Sequence, residues 1–104
     1  VRLMVNWPFA WRPQLQHALS LAKSGTIGRV WQMKYRAAHE GPLEHGCSPY
    51  FVSWLYDPEL NGAGALMDYG CYGTCLANYL LGLPNRVTAV GGRYCKEDVL
   101  AEDN

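Results

Sequence analysis

The sequence predicts an α+β domain within 104 residues. Three observations carry that class. Apolar residues recur at helical spacing over 14–23 and again after Gly62; stretches 1–7, 28–38 and 86–95 are continuously apolar or alternate with period two; glycine and proline punctuate the boundaries. The resulting order is strand, helix, strand, long connection, helix, strand.

Residues 1–7 read Val-Arg-Leu-Met-Val-Asn-Trp, a short apolar run of the kind a buried strand needs. Pro8 and Pro13 bracket an aromatic linker, and Pro13 is placed to open a helix because its missing N–H would have no partner in a first turn. Leu15, Ala18, Leu19 and Ala22 form one stripe with Leu21 at its flank, and Ser24-Gly25 ends it through the left-handed conformation that glycine tolerates. Residues 28–38 put Trp31, Met33, Tyr35 and Ala37 on one face, as in a strand with one buried side. Residues 39–61 contain Pro42, Pro49 and Pro58 and are expected to form one long irregular connection, ordered by the aromatic patch of Tyr50, Phe51, Trp54 and Tyr56. A glycine-rich turn then leads into a helix closed by Gly82 and Pro84. Residues 86–95 alternate again, with a bulge or close backbone approach expected at Gly91-Gly92, and 96–104 form a polar connector around Val99 and Leu100.

Nine Lys and Arg balance nine Asp and Glu, so no basic block exists to neutralise the phosphates of nucleic acid or an anionic bilayer. No apolar run has the length that spans a membrane, and the first residues lack the pattern of a signal peptide. Cys47, Cys71, Cys75 and Cys95 are too few and too unevenly spaced for a disulfide scaffold, which makes a reducing cytoplasm the expected location. Four Trp and seven Tyr supply more flat amphipathic surface than so small a core encloses, and some of it is expected to line a cleft or a partner.

The chemistry is concentrated in 62–83. At α-helical spacing Tyr72 lies one turn above Asp68, so a carboxylate and a phenol share a face. Such a pair can move a hydroxyl proton through Tyr72 and hold a hydroxyl or a diol on Asp68. The same residues equally fit a helix-start aspartate favoured by the dipole and a tyrosine packed in a core. His39, His45 and Cys47, with Cys71 and Cys75, invite a metal, yet no recognised ligand spacing is present and none is expected. Gly62-Ala63-Gly64 lacks the third glycine of a dinucleotide loop and the Gly-Lys-Ser/Thr of a P-loop; its expected work is to let backbone and ligand approach closely. Arg12 is a polar candidate for a ligand contact and Trp54 an aromatic one, each with a solvated or packed alternative.

From Trp54 to Gly82, with Trp-Leu-Tyr-Asp-Pro-Glu-Leu-Asn-Gly-Ala-Gly-Ala-Leu-Met-Asp-Tyr-Gly-Cys-Tyr at its heart, the chain resembles the Gfo/Idh/MocA oxidoreductases. Their second domain carries Gly-Gly-Gly-x-Leu-x-Asp-x-Gly-x-His at a helix start. Gly62, Gly64, Leu66, Asp68 and Gly70 match, and Ala63 replaces the middle glycine. Tyr72 stands in the histidine position, which is similar to the glucose-fructose oxidoreductase and dihydrodiol dehydrogenase branch, and Cys75 replaces an aspartate that many members carry. Trp11-Arg12-Pro13 resembles the segment that crosses the family's active site, and 23–30 its helix-to-strand turn.

This resemblance implies helices packed on one face of an open, incomplete mixed or antiparallel β-sheet. It makes 1–7 the remnant of the last strand of a missing dinucleotide-binding domain and 8–104 a partial C-terminal substrate and oligomerisation domain. It implies catalysis by Tyr72 with Asp68, substrate contacts from Arg12, Trp54 and Gly64, and NAD or NADP bound by the parent enzyme outside this chain. The implied substrate is a sugar, a polyol or a related secondary alcohol. The chain alone is then expected to be inactive, and a homo-oligomer through the open sheet, or a non-catalytic interaction module, is the second reading.

Overall fold

Proline opens the first four helical elements of the computed structural model, which describes residues 1–104: a 3-10 turn Pro8–Trp11, α1 Pro13–Lys23, α2 Pro49–Leu55 and α3 Pro58–Asn61. A first turn has no use for the proline N–H, so the residue costs nothing there. Ahead of α2 the Phe51 N–H donates to Ser48 Oγ at 3.4 Å; ahead of α3 the N–H groups of Glu59 and Leu60 donate to Asp57 Oδ1 at 2.8 and 3.3 Å. Residues 39–61 are therefore not the irregular connection expected of them. Ser48-Pro49 and Asp57-Pro58 are caps followed by first turns. A π-helical turn, Leu66–Gly70, then leads into α4, Cys71–Leu81, which stops where Gly82 takes a φ of 82° and donates its N–H to Asn78 O at 3.0 Å.

The chain divides into two compact units. The first comprises Val1–Tyr35 and Tyr72–Asn85. In it α1 packs on the 3-10 turn, with Leu19 buried, Leu15 and Ala22 half-buried and Ala18 exposed, so the stripe read from the sequence is the face that α1 turns inward. Tyr35 lies on Gly73 of α4 so closely that a Cβ there would come within 2.5 Å of the ring. The second unit comprises Arg36–Cys71 and Arg86–Asn104. Here α2 packs on α3, and Val52, Leu55, Val99 and Ala101 are buried.

No strand forms in residues 1–104, so the expected architecture of helices on an open sheet is overturned. Residues 1–7, 28–38 and 86–95 run without a ladder, and Val1, Leu3, Met4, Val5, Trp31, Val87 and Val90 are exposed. The physical reason is that an alternating pattern encodes only a face to be buried. A ladder also needs the N–H and C=O groups of a second segment, whereas a helix closes its bonds within its own turns. The close backbone approach expected at Gly91-Gly92 is present: Gly92 N–H donates to Asn104 O at 2.9 Å, and a Cβ on Gly91 would fall 2.8 Å from that oxygen. No helix is long and apolar enough to cross a membrane.

Candidate functional site

Asp68 belongs to the second unit and sits on the π turn Leu66–Gly70. That turn carries i→i+5 bonding, so the i, i+4 argument for a face shared with Tyr72 does not hold as stated; π turns inside helices recur at functional sites. The start of the turn is fixed by backbone bonds from Met67 N–H and Asp68 N–H to Gly64 O, both 3.1 Å. The Asp68 carboxylate meets an imidazole: His39 Nε2 lies 3.1 Å from Oδ2, and His39 Nδ1 accepts the Gly41 N–H at 2.9 Å. The Tyr69 ring packs against the imidazole at 4.6 Å between centroids. Both members of the pair are partly open to solvent, His39 at 24% and Asp68 at 27%.

The glycine turn has an occupant from its own unit. Glu102 takes the Gly64 N–H on both carboxylate oxygens at 2.9 Å and the Leu66 N–H at 3.0 Å, while its backbone O accepts from Ala65 N–H at 3.0 Å. Burial pushes this carboxyl up, but the two amides outweigh it and hold the group below the ordinary glutamate value of 4.5. Gly64 has no room for a side chain, since a Cβ would fall 2.1 Å from Glu102 O. The close approach expected at this turn is thus made by the chain itself. A dinucleotide pyrophosphate needs free N–H groups, and those of Gly64 and Leu66 are engaged, so the turn does not fit that group.

Tyr72 belongs to the first unit, where aromatic rings surround it. Phe9 meets it edge-on with centroids 4.7 Å apart, Trp7 at 6.0 Å, and the Arg12 guanidinium lies over the Phe9 ring at 4.2 Å. Two residues singled out from the sequence, Arg12 and Tyr72, are thereby brought to the two sides of Phe9. Tyr72 is half-buried, so its phenol is not sealed off.

Trp54 stands on α2, 41% exposed, and its ring partner is Phe51 at 5.4 Å rather than a member of the Asp68 pair. Elsewhere in the second unit Lys96 donates to Glu44, a bond that lowers the Glu44 carboxyl below its ordinary value and raises the Lys96 ammonium above its own. The N–H groups of Tyr94, Cys95 and Lys96 converge on the Asp103 carboxylate at 2.7, 2.6 and 2.7 Å and hold it below 3.8. His39, weighed from the sequence as a metal ligand with His45 and Cys47, has both ring nitrogens engaged. Its role beside Asp68 left no periodic signal, because 29 positions separate the two. Glu102 and Phe9 were equally silent: one reads as part of an acidic connector, the other as part of an aromatic linker.

A family model described as GFO/IDH/MocA C-terminal domain matches residues 15–104. No curated protein and no solved structure matches the chain.

Proposed function

The chain belongs to the GFO/IDH/MocA C-terminal domain family, and from that premise we propose that it forms the substrate side of an NAD(P)-dependent oxidoreductase acting on a sugar, polyol or related secondary alcohol. The observation that carries the reading is the run Gly62, Gly64, Leu66, Asp68, Gly70 and Tyr72 inside the matched residues. The tyrosine at the end of that run favours the glucose-fructose oxidoreductase and dihydrodiol dehydrogenase branch. The nicotinamide nucleotide, held outside this chain, supplies the hydride exchange. In this chain Tyr72 moves the hydroxyl proton of the substrate, Asp68 orients a hydroxyl on its carboxylate, and Arg12 and Trp54 contribute a charged and a flat apolar contact. Gly64 shapes the turn that carries Asp68. The cysteine spacing favours the cytoplasm as the place of action.

The test is the formation of reduced nicotinamide by the intact protein with a panel of polyols. Tyr72→Phe is expected to lower kcat by roughly 10²- to 10⁴-fold, the range of a lost general acid or base, and Asp68→Asn to act mainly on KM. Turnover undiminished in Tyr72→Phe would refute the assignment.

Exposed apolar residues favour a second property, self-association. Trp31, Val87 and Val90 are 80%, 77% and 94% exposed on extended segments whose backbone groups make no ladder. Light scattering across a concentration series is expected to give more than one chain per particle, and a constant single-chain mass would remove this reading.

A further inference from the structure

The geometry points to His39 as the positioning residue of Asp68: its imidazole, held by the Gly41 amide in the Nε2–H form, donates to one carboxylate oxygen and leaves the other to meet a ligand hydroxyl. The inference rests on the reading of Asp68 as a substrate contact and adds to it the group that sets the carboxylate's direction.

The tautomer follows from bonding rules. A backbone N–H can only donate, so the Gly41 N–H at 2.9 Å requires an unprotonated Nδ1. The single proton of a neutral imidazole is then on Nε2, aimed at Asp68 Oδ2 at 3.1 Å. Gly41 is committed to this task by conformation and by space. Its φ is 117°, and a Cβ there would fall 2.6 Å from Glu44 Oε2, 2.8 Å from Lys96 Cε and 2.8 Å from the Tyr56 hydroxyl oxygen. The Tyr69 ring against the imidazole, at 4.6 Å, limits its rotation. On the carboxylate, Oδ2 is occupied and Oδ1 takes no hydrogen bond from a protein donor. With the side chain 27% exposed, Oδ1 is the oxygen a ligand can reach. Asp68 therefore acts as a one-sided acceptor, suited to a single hydroxyl rather than to a diol bridging both oxygens.

Two measurements test this in the intact protein. Nitrogen-15 imidazole spectra are expected to report His39 with a protonated Nε2 and an acceptor Nδ1; an Nδ1–H form, or two averaged nitrogens, overturns the assignment. With xylitol as the probe, His39→Leu is expected to raise KM roughly tenfold, the scale of disturbing one charge-assisted bond. His39→Gln, which keeps an N–H donor, should recover most of that loss. Equal KM values in His39→Leu and the unmodified protein, or equal losses in both variants, overturn the positioning role. Absence of xylitol turnover in the unmodified protein counts instead against Asp68 as a substrate contact, and the imidazole spectrum then decides the pairing alone.

Discussion

Asp68 and Tyr72 are four residues apart in sequence, yet their surroundings are built from opposite materials. Asp68 is held by hydrogen bonds, through His39 on its carboxylate and Gly64 O on its amide. Tyr72 is held by ring edges from Phe9 and Trp7. Hydrogen bonds fix direction to within a few tenths of an ångström, whereas edge-to-face packing fixes position and tolerates rotation. A carboxylate that must point and a phenol that must exchange a proton call for these two kinds of support respectively.

The comparison breaks most sharply at Gly64. Gly64→Ala would drive a Cβ into the backbone of Glu102, 2.1 Å away, and the expected loss is about 3 kcal/mol, read as a lowered denaturation midpoint. Protection of the Leu66 amide from hydrogen exchange should fall with it, while the Phe9–Tyr72 contact persists. Next in size is Phe9→Ala, which removes the ring between Arg12 and Tyr72 and should cost about 2 kcal/mol by the same measurement, leaving the His39 imidazole spectrum unchanged.

Acid probes the hydrogen-bonded side only. The folded Glu102 carboxyl lies below the ordinary 4.5, so its contribution to stability is complete above that value and disappears as pH falls through the folded pKa. Asp103, held below 3.8 by three amides, behaves in the same sense at lower pH. Denaturation midpoints should therefore decline below the ordinary carboxylate range, and Glu102→Gln should flatten the upper part of that decline. The smallest effect expected is from Lys96→Gln, since an ion pair near the surface contributes little in water. A midpoint indistinguishable from the unmodified protein is the expected result.

What the sequence disclosed follows from the range of each interaction. Helix α1 was legible in full, because Pro13, the Leu15–Leu19 stripe and Gly25 act within a few residues of one another. So was the end of α4 at Gly82. The two short helices after residue 48 were carried by Ser48-Pro49 and Asp57-Pro58, signals outweighed by reading proline as a loop residue. The predicted strands failed for the opposite reason: Trp31 and Met33, or Val87 and Ala89, state a preference that only another segment can satisfy. The motif residues of the candidate site were legible as types. Their partners were not, since His39 and Glu102 reach Asp68 and Gly64 from 29 and 38 positions away.

The wide turn at Leu66–Gly70 carries a further implication. An α-helix advances about 100° per residue, so removing one residue there and closing the turn to α geometry would swing the later side chains around the axis by about that amount. Chain length at this point is therefore as much a determinant of recognition as any side chain. Single-residue deletions and insertions through the turn should alter ligand preference where substitutions at the same positions leave it intact.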